Sequence, residues 1–154
     1  MVKVAIVGSE LKYWTEKSET LAIMNIHNIL VRHATSHDFR DGDIWMPYEV
    51  TMVSGGCPKG GVDIWAEIIA DELGIKKEIY RPEVNQWNDY METYPCAPPN
   101  VRWLSGYKSR NLQITKACDV LYCIDPKGRT RSGGRWTLEQ AKKLGKETHL
   151  IEVE

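Results

Sequence analysis

Tyr48-Glu49-Val50-Thr51-Met52-Val53-Ser54-Gly55-Gly56 reads as a strand that runs directly into a glycine loop. The stretch 62–73 then repeats apolar residues at helical spacing, with Trp65, Ile68, Ile69 and Leu73 on one stripe and Ala66 and Ala70 beside it. Gly74 is its expected stop. Outward from this unit the same succession recurs. Upstream, residues 2–7 are a β-branched apolar run suited to a strand covered on both faces, closed by Gly8-Ser9. Residues 15–34 follow as a helix, with Leu21, Met24 and Val31 on one face and Ala22, Ile26 and Ile29 on another. Residues 35–47 read as a surface loop.

Downstream, 77–81 is a short strand ended by Pro82, 105–117 a helix, 119–124 a strand, 137–144 a helix stopped by Gly145, and 148–153 a last strand. Between them, residues 83–104 carry Pro95, Pro98 and Pro99 with Trp87, Tyr90, Tyr94 and Trp103, and have no periodicity. Those aromatics either cover a bound base or pack on the body of the protein. Strands alternating with helices predict an α/β fold: three layers, a largely parallel sheet of about five strands with helices on both faces, in one domain over residues 1–154.

Composition bounds the function. The chain has 154 residues, 42% of them hydrophobic and 27% charged, with a net charge of −1. No global basic field therefore attracts nucleic acid, which argues against it as a partner. No apolar run approaches the ~20 residues of a membrane span, and the N-terminus reads as a strand rather than a signal peptide, so the expected location is cytoplasmic. Cys57, Cys96, Cys118 and Cys123 lack zinc-finger spacing and read as free packed thiols. Cys57 differs in lying within the first glycine loop, where a helix start can lower a thiol pKa, but no neighbouring residue is an evident base. His27, His33, His37 and His149 show no ligand spacing. The pattern calls for no metal and no resident cofactor.

Ser132-Gly133-Gly134 repeats the Ser54-Gly55-Gly56 pattern ahead of the last helix. Glycine leaves backbone N–H groups unshielded, and a helix start adds unpaired donors and partial positive charge, so both loops suit an anion such as phosphate. In an open parallel sheet, ligands bind beyond the carboxyl ends of the strands at the switch point. Gly8 and Ser9, the stretch from Ser54 through Gly60 and Gly61 to Asp63, the turn after the fourth predicted strand, and Gly133-Gly134 with Thr137 all collect at that edge. Arg110 and Asn111 approach it from the preceding helix. The first loop is not a Walker A sequence, since Gly60-Gly61 is not followed by Lys-Ser or Lys-Thr. Asp63 serves equally as a helix-dipole partner or a ligand contact. Arg110 offers a bidentate fork to phosphate or carboxylate. Lys127, Arg129, Arg131 and Arg135 read as a solvated face beside the second loop, one that also suits a polyanion.

Together Val7-Gly8-Ser9, Val53-Ser54-Gly55-Gly56 with Gly61-Val62-Asp63 and Ala66, Arg110-Asn111, Ala117-Cys118-Asp119, and Gly133-Gly134 with Thr137 and Glu139 resemble the SLOG superfamily. Within it the chain is similar to the small YspA-like branch, related to LONELY GUY phosphoribohydrolases and DNA-processing A proteins. The resemblance covers nearly the whole chain. It implies a Rossmann-like fold, a nucleotide or nucleotide-derived ligand, and a homodimer. It also implies an alternative, N-glycosidic hydrolysis of a nucleotide, with Arg110 holding phosphate and Glu139 as the electrostatic or acid–base group. The departures are Ser132 for the enzymes' proline, Trp136 for their third glycine and Gln140 for their glutamate. Glutamine cannot carry the negative charge that a developing oxocarbenium ion needs. A third reading, association with DNA, comes by analogy with the DNA-processing members, and the near-neutral charge opposes it.

Overall fold

The computed structural model describes residues 1–35, 49–84 and 101–154. Six strands form one sheet: β1 Val2–Gly8, β2 Val50–Ser54, β3 Lys76–Pro82, β4 Val101–Leu104, β5 Val120–Pro126 and β6 Glu147–Val153. Their order is β4-β3-β2-β1-β5-β6, and every pairing is parallel. Four helices lie among the described residues: α1 Glu16–Thr35, α2 Val62–Glu72, α3 Tyr107–Ala117 and α4 Gly133–Lys143.

The period-two alternation of the central strands divides the core. Val4, Ile6, Met52, Tyr122 and Ile124 pack with Ala22, Ile26 and Leu30 of α1 and Val62, Ala66 and Ile69 of α2. Ala5, Val7, Val53, Leu121 and Cys123 point the other way, against Ile114 of α3 and Leu138 and Ala141 of α4. Fully burying each large apolar side chain contributes about 1.5–3 kcal/mol, so two such clusters suffice to hold helices on both faces.

The sheet has six strands rather than about five. The added one, β4, lies inside the aperiodic stretch 83–104. Its four residues are exposed or half-buried and lack a buried face, so pairing with β3 creates the strand rather than its own hydrophobicity. Of the aromatics in that stretch, Trp87, Tyr90 and Tyr94 lie outside the described residues, as do Cys96, His37 and most of the expected loop 35–47. The last helix begins at Gly133, so the second glycine pair is its first turn and not a loop ahead of it. No helix among the described residues is long and apolar enough to cross a membrane.

Candidate functional site

β1 lies between β2 and β5, so the chain leaves its carboxyl end toward one face while β5 feeds the other. This is the switch point, where loops diverge and leave a crevice. A cleft of about 290 Å³ opens there. Gly8 and Ser9 of the β1 end line it, with Asp63 of α2, Arg110 and Asn111 of α3, and Gly133, Gly134 and Thr137 of α4. Ser54, Gly55, Gly56, Gly60 and Gly61 do not line it, while Glu10, Cys57, Lys59, Tyr107, Arg129 and Ser132 do.

The α4 side is built on one carboxylate. Asp125, fully buried at the end of β5, accepts from Ser9 Oγ at 2.7 Å, Ser132 Oγ at 2.8 Å and Arg135 Nε at 3.1 Å. It thereby joins the end of β1 to the start of α4. Ser132 is the N-cap, its Oγ accepting from the Arg135 N–H at 3.0 Å. Gly134 lies so close to β1 that a Cβ there would sit 3.0 Å from Gly8 Cα and 3.1 Å from Cys123 Sγ. Gly133 is different: a Cβ there meets nothing nearer than Asn111 Nδ2 at 4.0 Å, so its backbone faces open cleft. The Thr137 hydroxyl is already committed, donating to the Gly133 carbonyl at 2.7 Å.

The first glycine loop is occupied by arginines. Arg110 covers Gly55, and its Nη1 donates to the Gly55 carbonyl. A Cβ at Gly55 would collide with that guanidinium, and one at Gly56 would sit 2.6 Å from Arg81 Nη1. Ser54 Oγ closes the turn, accepting from the Gly56 N–H at 3.2 Å and donating to the Asp63 carbonyl at 3.3 Å. Gly61 has φ +85° and abuts the Ser9 carbonyl, which accepts the Val62 N–H at 3.3 Å. That left-handed conformation requires glycine and seats α2 against the β1 loop.

Arg110 lies 3.6 Å from Asp63 Oδ2, and both side chains are more than nine-tenths buried. Asp63 also accepts the Cys57 N–H at 3.2 Å. Burial raises the Asp63 carboxyl pKa above its ordinary value, against the opposing pull of Arg110. Arg110 Nε is buried with no hydrogen-bond partner among the described residues. The same holds for the Tyr107 hydroxyl, whose ring lies 5.4 Å from the Arg110 guanidinium. Lys59 stands half exposed at the rim, 3.7 Å from Glu10. Burial, then Asp63, pushes the Cys57 thiol up to about 11, so its place near a helix start does not yield a thiolate at neutral pH.

Glu139 does not line the cleft. It lies on the exposed face of α4, 3.3 Å from Lys142 Nζ. Two positions from Thr137 is about 200° round a helix, so a residue that faces the core there puts Glu139 on the far side. His33 and His149 flank Tyr122, the former 2.8 Å from its hydroxyl and the latter stacked on its ring at 4.8 Å, and neither lines the cleft. No group of His, Cys, Asp and Glu among the described residues is placed to hold a metal ion.

A second buried ion pair lies beneath the first loop. Arg81 Nη2 donates to Glu67 Oε1 at 3.1 Å, and both side chains are fully buried. Glu67 Oε2 has no partner among the described residues, and burial pushes the carboxyl up to about 7 from an ordinary 4.5. A folded-state pKa above the unfolded one contributes stability that is full below about pH 4.5 and lost as pH rises through about 7. Glu67→Gln removes that dependence. Its stability relative to the native chain is expected to rise by ~1–3 kcal/mol between pH 5 and pH 8 in urea titrations. A constant difference across that range would exclude a raised Glu67.

Asp125, Arg81 and Glu67 went unmarked in the sequence. One signal was available for Asp125: it is the acid that closes the otherwise apolar run Val120-Leu121-Tyr122-Cys123-Ile124.

No protein-family model and no curated protein matches the chain. Three chains of solved structures do. The molybdenum cofactor carrier protein of Chlamydomonas reinhardtii superposes with a TM-score of 0.64 at 16% identity, over 97% of this chain and 75% of that one. DNA processing protein A of Helicobacter pylori, a single-stranded DNA binder, superposes with a TM-score of 0.61 at 21% identity, over 97% of this chain and 64% of its own length. Both likenesses lie under 25% identity and show a shared fold. The all-parallel sheet, the helices on both faces and these two likenesses give the chain a Rossmann-like α/β fold.

Proposed function

We propose that the cleft binds a nucleotide or a nucleotide-derived ligand, with its phosphate against the first turn of α4 at Gly133. The observation that carries this reading is Arg110, a buried guanidinium that lines the cleft with Nε unpartnered among the described residues, opposite an open helix start. An anion there satisfies an otherwise unpaired donor and meets the positive end of the α4 dipole. Lys59 adds positive charge to the same lining. The Ser54-Gly55-Gly56 loop supports the site from behind, by giving Arg110 and Arg81 room to lie against backbone. The likeness to a cofactor carrier agrees with binding as the activity. Catalysis by Glu139 needs that carboxylate at the cleft, whereas Glu139 sits on the exposed face of α4; the binding reading needs no such group.

A thermal-shift panel of nucleoside monophosphates, NAD, ADP-ribose and inorganic phosphate tests the reading. A ligand at ~100 times its Kd adds about 2.7 kcal/mol of stability. At least one nucleotide is expected to raise the midpoint, with a smaller rise in Lys59→Ala that shrinks with added salt. Lys59 suits this use because it is half exposed, whereas removing Arg110 would strand Asp63 in the interior. No rise with any nucleotide would sink the proposal.

A further inference from the structure

The phosphate end of a ligand accounts for Arg110 and α4, but not for the contact that joins the loops after β1 and β5. Leu11–Tyr13 forms a short helical turn after β1. Arg129 sits in the turn after β5, its N–H donating to the Pro126 carbonyl at 3.2 Å. These strands are parallel neighbours, so the two turns leave the same sheet edge side by side. There the Arg129 guanidinium carbon lies 3.3 Å from the centroid of the Tyr13 ring, in van der Waals contact with its face. Lys12 Nζ lies 5.0 Å from the same ring. Arg129 forms no ion pair with a carboxylate among the described residues, and its Nε is buried without a hydrogen-bond partner among them. Arg129 lines the cleft and Tyr13 does not.

We propose that Arg129, lying over the Tyr13 ring, is the platform on which the planar base of a nucleotide stacks. The proposal rests on the nucleotide-binding reading and adds the residues that recognise the ring. A guanidinium is planar, delocalised and weakly hydrated, and stacks on aromatic faces. Tyr13 supplies one such face, and the base would supply the second. The arrangement tolerates different bases, because every base has a π-face.

The test is calorimetric titration of the nucleoside 5′-monophosphates and of ribose 5-phosphate into the native protein and into Arg129→Ala, Tyr13→Ala and Tyr13→Phe. The native protein is expected to bind at least one monophosphate about tenfold or more tighter than ribose 5-phosphate, the range that stacking supplies. Arg129→Ala and Tyr13→Ala erase that margin and leave ribose 5-phosphate binding within about twofold, and Tyr13→Phe keeps it. Tyr13 is 39% exposed and Arg129 lies on a turn, so these changes spare the core. Equal weakening of both ligands by Arg129→Ala would make Arg129 a phosphate contact and overturn the platform, with nucleotide binding intact. A native protein that does not distinguish the two ligands overturns it likewise, as does loss of the margin in Tyr13→Phe. Binding of neither ligand overturns the nucleotide reading and the platform with it.

Discussion

Gly133→Asp is expected to abolish nucleotide binding while leaving the unliganded protein as stable as before, or more so. The two effects separate because they act on different partners of one helix start. Gly133 is the first residue of α4 and follows the Ser132 cap. Its backbone needs no positive φ, and a Cβ there enters open space beside Asn111. An acid in the first turn of a helix gains ~0.3–1 kcal/mol from the dipole. The same carboxylate stands where the ligand's phosphate is proposed to lie. Two like unit charges about 4 Å apart repel by about 4 kcal/mol at an effective dielectric of about 20, close to a thousandfold in Kd. Urea denaturation measures the first effect and calorimetric titration the second. Undiminished binding would place the anion away from α4, and a large loss of stability would mean that Gly133 is held by packing.

The second large effect is structural. Gly8→Ala is expected to cost more than about 3 kcal/mol, or to prevent folding, because its Cβ has no space. It would collide with the Ile124 carbonyl of β5 and lie 2.7 Å from Val62 Cγ2 of α2. Neither is the free end of a flexible side chain. One is sheet backbone, and the other belongs to the first residue of a packed helix. Relief requires β1 and β5 to part, or α2 to lift from Ser9, and either movement opens the cleft. Gly134→Ala meets its neighbours at 3.0–3.1 Å, so it is expected to be milder. Chemical denaturation ranks the two. A native midpoint for Gly8→Ala would show that the β1–β5 contact yields more easily than its backbone neighbours suggest.

Local pattern carried much of the fold. The apolar runs that became β1, β2 and β5 are covered on both faces, so burial alone selects their residues. The stripe of α2 and its stop at Gly74 are likewise short-range signals, and Gly74 has the left-handed φ of +69° that a helix stop uses. β4 was not legible, because an edge strand with half-exposed residues owes its existence to hydrogen bonds from β3. At the site, the sequence marked which residues arrive at the carboxyl edge: Gly8, Ser9, Asp63, Arg110, Asn111, Gly133, Gly134 and Thr137 all line the cleft.

What each of those residues does there belonged to the tertiary structure. Both Ser-Gly-Gly segments look alike in the chain. Only folding brings Arg110 and Arg81 onto Gly55 and Gly56, leaves Gly133 open and presses Gly134 onto Gly8. A glycine permits close approach without saying what approaches. The partners of Asp125 lie 116 residues away at Ser9 and within α4 at Arg135, and the Tyr13–Arg129 stack likewise joins distant segments. The sequence by itself thus determined the alternation of elements, the parallel sheet and the edge at which the cleft opens, because burial and turn chemistry act over a few residues. The tertiary structure decided which glycine loop stays open, which charges are paired and where Glu139 faces, because these depend on contacts between segments far apart in the chain.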